Sequence, residues 1–72
     1  MTVKFISGGL YRNHAGRDLD MFVLKVGYRC AKYTVMKIQL IRRKKEKMYV
    51  QPFYIRMMFE NYKHWERIFE DI

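Results

Sequence analysis

The sequence predicts an α+β, mostly β domain: a small antiparallel meander of about five strands, closed by one C-terminal helix. Three observations predict it. Apolar and polar side chains alternate over several segments between Thr2 and Phe59, which is the period of a half-buried strand. The links between those segments are too short for crossover helices, so successive strands must run antiparallel. After Glu60 the apolar period changes from two to alternating threes and fours, the period of an amphipathic helix. A chain of 72 residues allows one domain, 1–72, with a β part over 1–59 and the helix over 60–72.

The elements follow in order. Thr2 to Ser7 sets Val3 and Phe5 against Lys4 and reads as a short strand. Gly8-Gly9 bends the chain, and Leu10 and Tyr11 resume pairing. Arg12 to Asp18 is polar, carries Gly16 and has no period, so it is a loop. Asp20 to Arg29 alternates again. Phe22, Leu24, Val26 and Tyr28 are assigned inward, and Lys25, Gly27 and Arg29 outward, although Met21 and Val23 interrupt the pattern. Tyr33 to Arg42 puts Met36, Ile38 and Leu40 on one face. Tyr33, Lys37 and Gln39 lie on the other, with Val35 and Ile41. The Cys30-Ala31-Lys32 link makes these two strands neighbours and points Cys30 inward.

Arg42 to Glu46 is the tip of a second hairpin, where crowded like charges must face water. Lys47 to Gln51 is the next strand. Pro52 has no N–H and marks an edge or a gap. Phe53, Ile55, Met57 and Phe59 then alternate with Tyr54 and Arg56. In the last segment Met58, Tyr62, Trp65, Phe69 and Ile72 form a helical stripe widened by Ile68, with Asn61 as N-cap. A small chain hides its sheet edges best by curling, so the expected form is an open SH3-like or OB-like barrel with the helix across one end and Trp65 in the core.

Composition excludes several classes. Apolar residues are 50% and aromatic residues 17%, too rich for a disordered chain. A single cysteine, Cys30, forms no internal disulfide. No apolar run approaches the ~18 residues of a membrane span, and Met1 to Ile6 lacks the pattern of a signal peptide. The expected location is the cytoplasm.

Catalytic signals are weak. His14, His64 and Cys30 have no ligand spacing, so neither metal nor cofactor is expected. His14 lies near Asp18 and Asp20, but the simpler reading of that loop is ion pairing of the acids with Arg12 or Arg17. Ser7-Gly8-Gly9 lacks the spacing and the following helix of a phosphate loop. The chain is not expected to be an enzyme.

Charge is the strongest signal. Fifteen Lys and Arg against seven Asp and Glu give +8. Residues 1–59 carry +10 and residues 60–72 carry −2. Within residues 25–47, nine basic side chains meet one acid, Glu46. The alternation throws a basic and aromatic set outward: Lys25, Arg29, Tyr33, Lys37, Tyr49, Tyr54 and Arg56, with Gln39 and Gln51 among them. Arg42, Arg43, Lys44, Lys45 and Lys47 extend it at the hairpin tip. Cations neutralise phosphates and release counterions, and tyrosine rings give unpaired bases a surface to stack on. These residues are the candidate site, and the expected function is nucleic-acid binding, DNA or RNA.

The alternative is a binder or inhibitor that docks on an acidic protein, since Tyr, Met and Arg are favoured at interfaces. In size and composition alone the chain resembles the small accessory proteins that bacteriophages use to act on host machinery. No motif in it names a family.

Overall fold

The computed structural model describes residues 4–43 and 48–68. Six strands form: β1 Leu10–Asn13, β2 Leu19–Arg29, β3 Tyr33–Arg42, β4 Met48–Tyr49, β5 Phe53–Met58 and β6 Trp65–Ile68. Every pairing is antiparallel. The sheet order is β4-β3-β2-β1-β6, and β5 also pairs with β3. β4 lies opposite Ile41 and Arg42, while β5 lies opposite Tyr33 to Ile38. Pro52 falls in the gap between β4 and β5, where no ladder donor is needed. The chain is therefore mostly β, a meander whose last strand returns to β1, an order compatible with a small barrel.

Burial explains the alternation. Thr34, Met36 and Ile38 of β3 are buried, as are Tyr11 of β1, Met21 and Val23 of β2, and Met57 of β5. Phe5 and Tyr62 complete the core, with Val26, Leu40, Ile55 and Trp65 packed against it. The expected bounds and inner face of Tyr33–Arg42 are those observed, and Trp65 is a core-packing residue as expected.

β2 departs from its expected faces twice: in its first half Met21 and Val23 are buried in place of Phe22 and Leu24, and in its second half Tyr28 turns outward. Register shifts lie between Val23 and Lys25 and between Val26 and Arg29. The first shift changes the phase of alternation. Met21 and Val23 point inward, Leu24 is exposed, and Val26 comes back in opposite Met36. Tyr28, assigned inward by simple alternation, is 63% exposed. The physical cause is irregular pairing, which adds a residue to one strand without its partner. Gly27 sits in that stretch, and a Cβ there would lie 3.3 Å from the Val35 carbonyl oxygen.

The expected N-terminal strand is absent over its described part, residues 4–7. A side chain holds that backbone instead. The Tyr11 hydroxyl accepts from the Ile6 N–H at 2.9 Å and donates to the Lys4 carbonyl at 2.9 Å. Phe5 is thereby seated against Tyr11 and Tyr62, with both ring pairs at 4.8 Å. Gly8 takes φ +84° in the following turn, a conformation that favours glycine. Gly9 leaves room for Tyr11, whose ring and hydroxyl would lie 2.7 Å from a Cβ at that position.

The largest correction is the closing helix over 60–72. Phe59–His64 forms a 3₁₀-helix, and Trp65–Ile68 is a strand paired with β1. Residues 69–72, including Phe69 and Ile72 of the expected stripe, lie outside the described residues. The reason is the free edge of β1. Its backbone groups need partners, and Trp65 to Ile68 supply them across from Asn13 to Leu10. The spacing of three between Tyr62 and Trp65 suits a 3₁₀ turn as well as an α-helix. Asn61 lies inside that turn, and the N-cap is Met58, without a side-chain cap.

Candidate nucleic-acid interface

Strand register decides which of the candidate side chains meet. Lys25 lies opposite Lys37 across β2 and β3, and Lys37 lies opposite Tyr54 across β3 and β5. One row therefore reads Lys25, Lys37, Tyr54 on the face turned away from Met36. Lys37 Nζ stands 5.9 Å from the centre of the Tyr54 ring. Arg56, opposite Val35, lies on the same face, and its guanidinium carbon is 5.5 Å from the centre of the Tyr33 ring. Both distances fall within the reach of a cation–π contact. Tyr28 and Tyr33 adjoin, with ring centres 6.4 Å apart.

The patch thus unites Lys25, Tyr33, Lys37, Tyr54 and Arg56. Tyr28 joins it, missed because strict alternation points it inward. Gly27, an isolated glycine inside a strand, was the available signal for that irregularity.

No Asp or Glu stands on this face of β3 and β5 or in the row through Lys25, among the described residues. Directly opposed like charges on neighbouring strands are destabilising. Lys25 and Lys37 are in that arrangement, and an anion laid across them relieves it.

The remaining candidates have other surroundings. Arg29 reaches back to the N-terminal segment, where Nη2 donates to the Phe5 carbonyl at 2.6 Å. Tyr49 is 62% exposed on β4, opposite Ile41. Arg42 is exposed at the end of β3. Lys44, Lys45 and Lys47 lie outside the described residues.

Arg43 sits in an acidic setting at the other end of the sheet. Its Nε is 3.0 Å from Asp20 Oδ1, an ion pair without the alignment of a hydrogen bond. Its Nη2 is 3.8 Å from Asp18. Arg12 Nε donates to the same Asp20 oxygen at 3.2 Å. Asp20 is only 7% exposed, so its charge needs these two arginines. His14 Nε2 lies 2.5 Å from Glu66 Oε2. The expected pairing of Asp20 with Arg12 is present, while the partner of Asp18 is Arg43. Among the described residues no three His, Cys, Asp or Glu side chains gather as metal ligands would, and no helix is long and apolar enough to cross a membrane.

Compared with known proteins, the chain matches no family model, no curated protein and no solved structure.

Proposed function

We propose that this protein binds nucleic acid through the outer face of β2, β3 and β5, on a sheet read as an open SH3-like barrel. The observation that carries the reading is the row Lys25, Lys37, Tyr54, with Arg56 and Tyr33 beside it. Lys25, Lys37 and Arg56 neutralise phosphates along the row. Tyr54, 65% exposed, and Tyr28 offer ring faces to unpaired bases. Stacking needs splayed bases, so a single strand is the favoured ligand over a duplex.

The test is titration into labelled single strands, duplex DNA and duplex RNA at two salt concentrations. The expected outcome is tightest binding to single strands, with a salt slope of about −0.7 for each phosphate neutralised. Absence of binding to every nucleic acid at low salt would falsify the reading. The same cations then become candidates for steering towards an acidic protein, the alternative that the exposed Tyr28, Tyr49, Tyr54 and Met48 favour.

A further inference from the structure

Behind the proposed nucleic-acid face, on the inner side of the sheet, the structure leaves a second feature. A groove of about 490 Å³ runs between β5 and the loop that follows β1. Its floor is apolar, with Ile55, Leu40 and Trp65 among the lining residues and Phe53, 38% exposed, at its margin. Arg17 and Arg56 border it, and no Asp or Glu lines it among the described residues. The acids adjacent in sequence are engaged elsewhere: Asp18 with Arg43 and Glu66 with His14. The groove therefore combines an apolar floor with the neutral polar side chains Asn13 and Asn61, with His64, and with two arginines, and carries no carboxylate among the described residues.

The wall formed by β5 adds a backbone feature. β5 pairs with β3 along one edge and with no other strand among the described residues. A strand edge beside an apolar groove is the setting in which an extended peptide adds as a further strand, with alternate side chains entering the groove. β5 offers six residues, Phe53 to Met58, enough for a short segment.

We infer that this groove binds an extended peptide of alternating apolar and acidic residues, hydrogen-bonded to the edge of β5 that pairs with no strand among the described residues. Its apolar side chains would lie on Ile55 and Trp65, and its carboxylates would face Arg17. Its apolar lining comes from the opposite side of the sheet from the nucleic-acid face, and Arg56, at the boundary between the two, is the residue they share.

Trp65 is the only tryptophan in the chain, so its emission reports on the groove directly. The probes are a blocked octapeptide alternating Asp and Leu and its Lys–Leu counterpart. The expected result is a saturable change in Trp65 emission with the acidic peptide, at least about fivefold tighter than with the basic one. Arg17 is an exposed loop residue. Arg17→Glu should weaken the acidic peptide about tenfold while leaving the melting temperature and oligonucleotide binding as in the parent. An acidic peptide N-methylated at every residue cannot donate to a strand edge and should not bind. The inference is overturned if neither peptide gives a saturable change, if both bind alike, or if the N-methylated peptide binds as well as the plain one. Displacement of the acidic peptide by a single-stranded oligonucleotide would also overturn it, by making the groove part of the nucleic-acid interface.

Discussion

The two ends of the sheet use cations in opposite ways. Near the start of β2, Arg12 and Arg43 converge on Asp20, with Asp18 beside Arg43. There the positive charge is consumed internally and holds the end of β3 to β2. Around the middle of β3, Lys37 and Arg56 instead lie over tyrosine rings, and Lys25 faces Lys37 with no acid in the row. Both regions carry basic side chains of similar density in the sequence. What separates them is whether a carboxylate shares the same face, and that depends on strand register. Net charge alone, +8 for the chain, does not tell a structural cation from one available to a ligand.

Four variants test this contrast. The largest effect should come from reversing the open end. Lys25→Glu, Lys37→Glu and Arg56→Glu together should cost at least about a hundredfold in oligonucleotide affinity, since each removes a phosphate contact and adds repulsion. The melting temperature should fall by several degrees at most, because the opposed pair is again like-charged and the two cation–π contacts to Tyr54 and Tyr33 are lost, while no ion pair among the described residues is broken. Measured affinity that stays within a fewfold of the parent at unchanged stability would remove this face from consideration.

Next in size is Asp20→Ala. It leaves Arg12 and Arg43 facing each other at a largely buried site. The expected cost is about 2 kcal/mol, reduced from the fully buried case because both arginines are partly exposed. For a domain of this size that lowers the melting temperature by about 8–16 °C. Thermal unfolding checks it, and oligonucleotide binding by the folded fraction should be unchanged.

The smallest effect sharpens the division between adjacent residues. Arg42→Ala removes an exposed cation and should lower affinity a fewfold, flattening the salt slope by about 0.7–0.9, with stability unchanged. Arg43→Ala should do the reverse, lowering the melting temperature by several degrees through the loss of its pairing with Asp20 and leaving the salt slope intact. A salt slope that falls equally in both variants would show that Arg43 is not committed to the acids.

Legibility varied with how far local pattern and tertiary demand agreed. β3 was readable to the residue because its alternation is unbroken and β5 follows it in continuous register from Tyr33 to Ile38. The patch residues Lys37, Tyr54 and Arg56 inherited that clarity. Tyr28 did not, because irregular pairing in β2 displaced it from the face that counting by twos assigns. The N-terminal segment also alternates, yet the Ile6 N–H and the Lys4 carbonyl bond to the Tyr11 hydroxyl, a side-chain contact that no backbone period encodes.

By itself the sequence determined the class of the molecule. Its length, its apolar alternation and its short links require a single antiparallel, mostly β unit, and its charge distribution marks the middle of the chain as basic. Those are local or additive properties, readable without knowing what lies beside what. Only the tertiary structure decided the C-terminal segment. Trp65 to Ile68 carries an amphipathic period that serves a helix, but the unpaired edge of β1 offers four residues of ladder, and backbone groups beside a core cannot go without partners. It likewise decided that Arg43 is bound to acids and Lys37 is not, because charges pair through space, and only register brings residues far apart in the chain to one face.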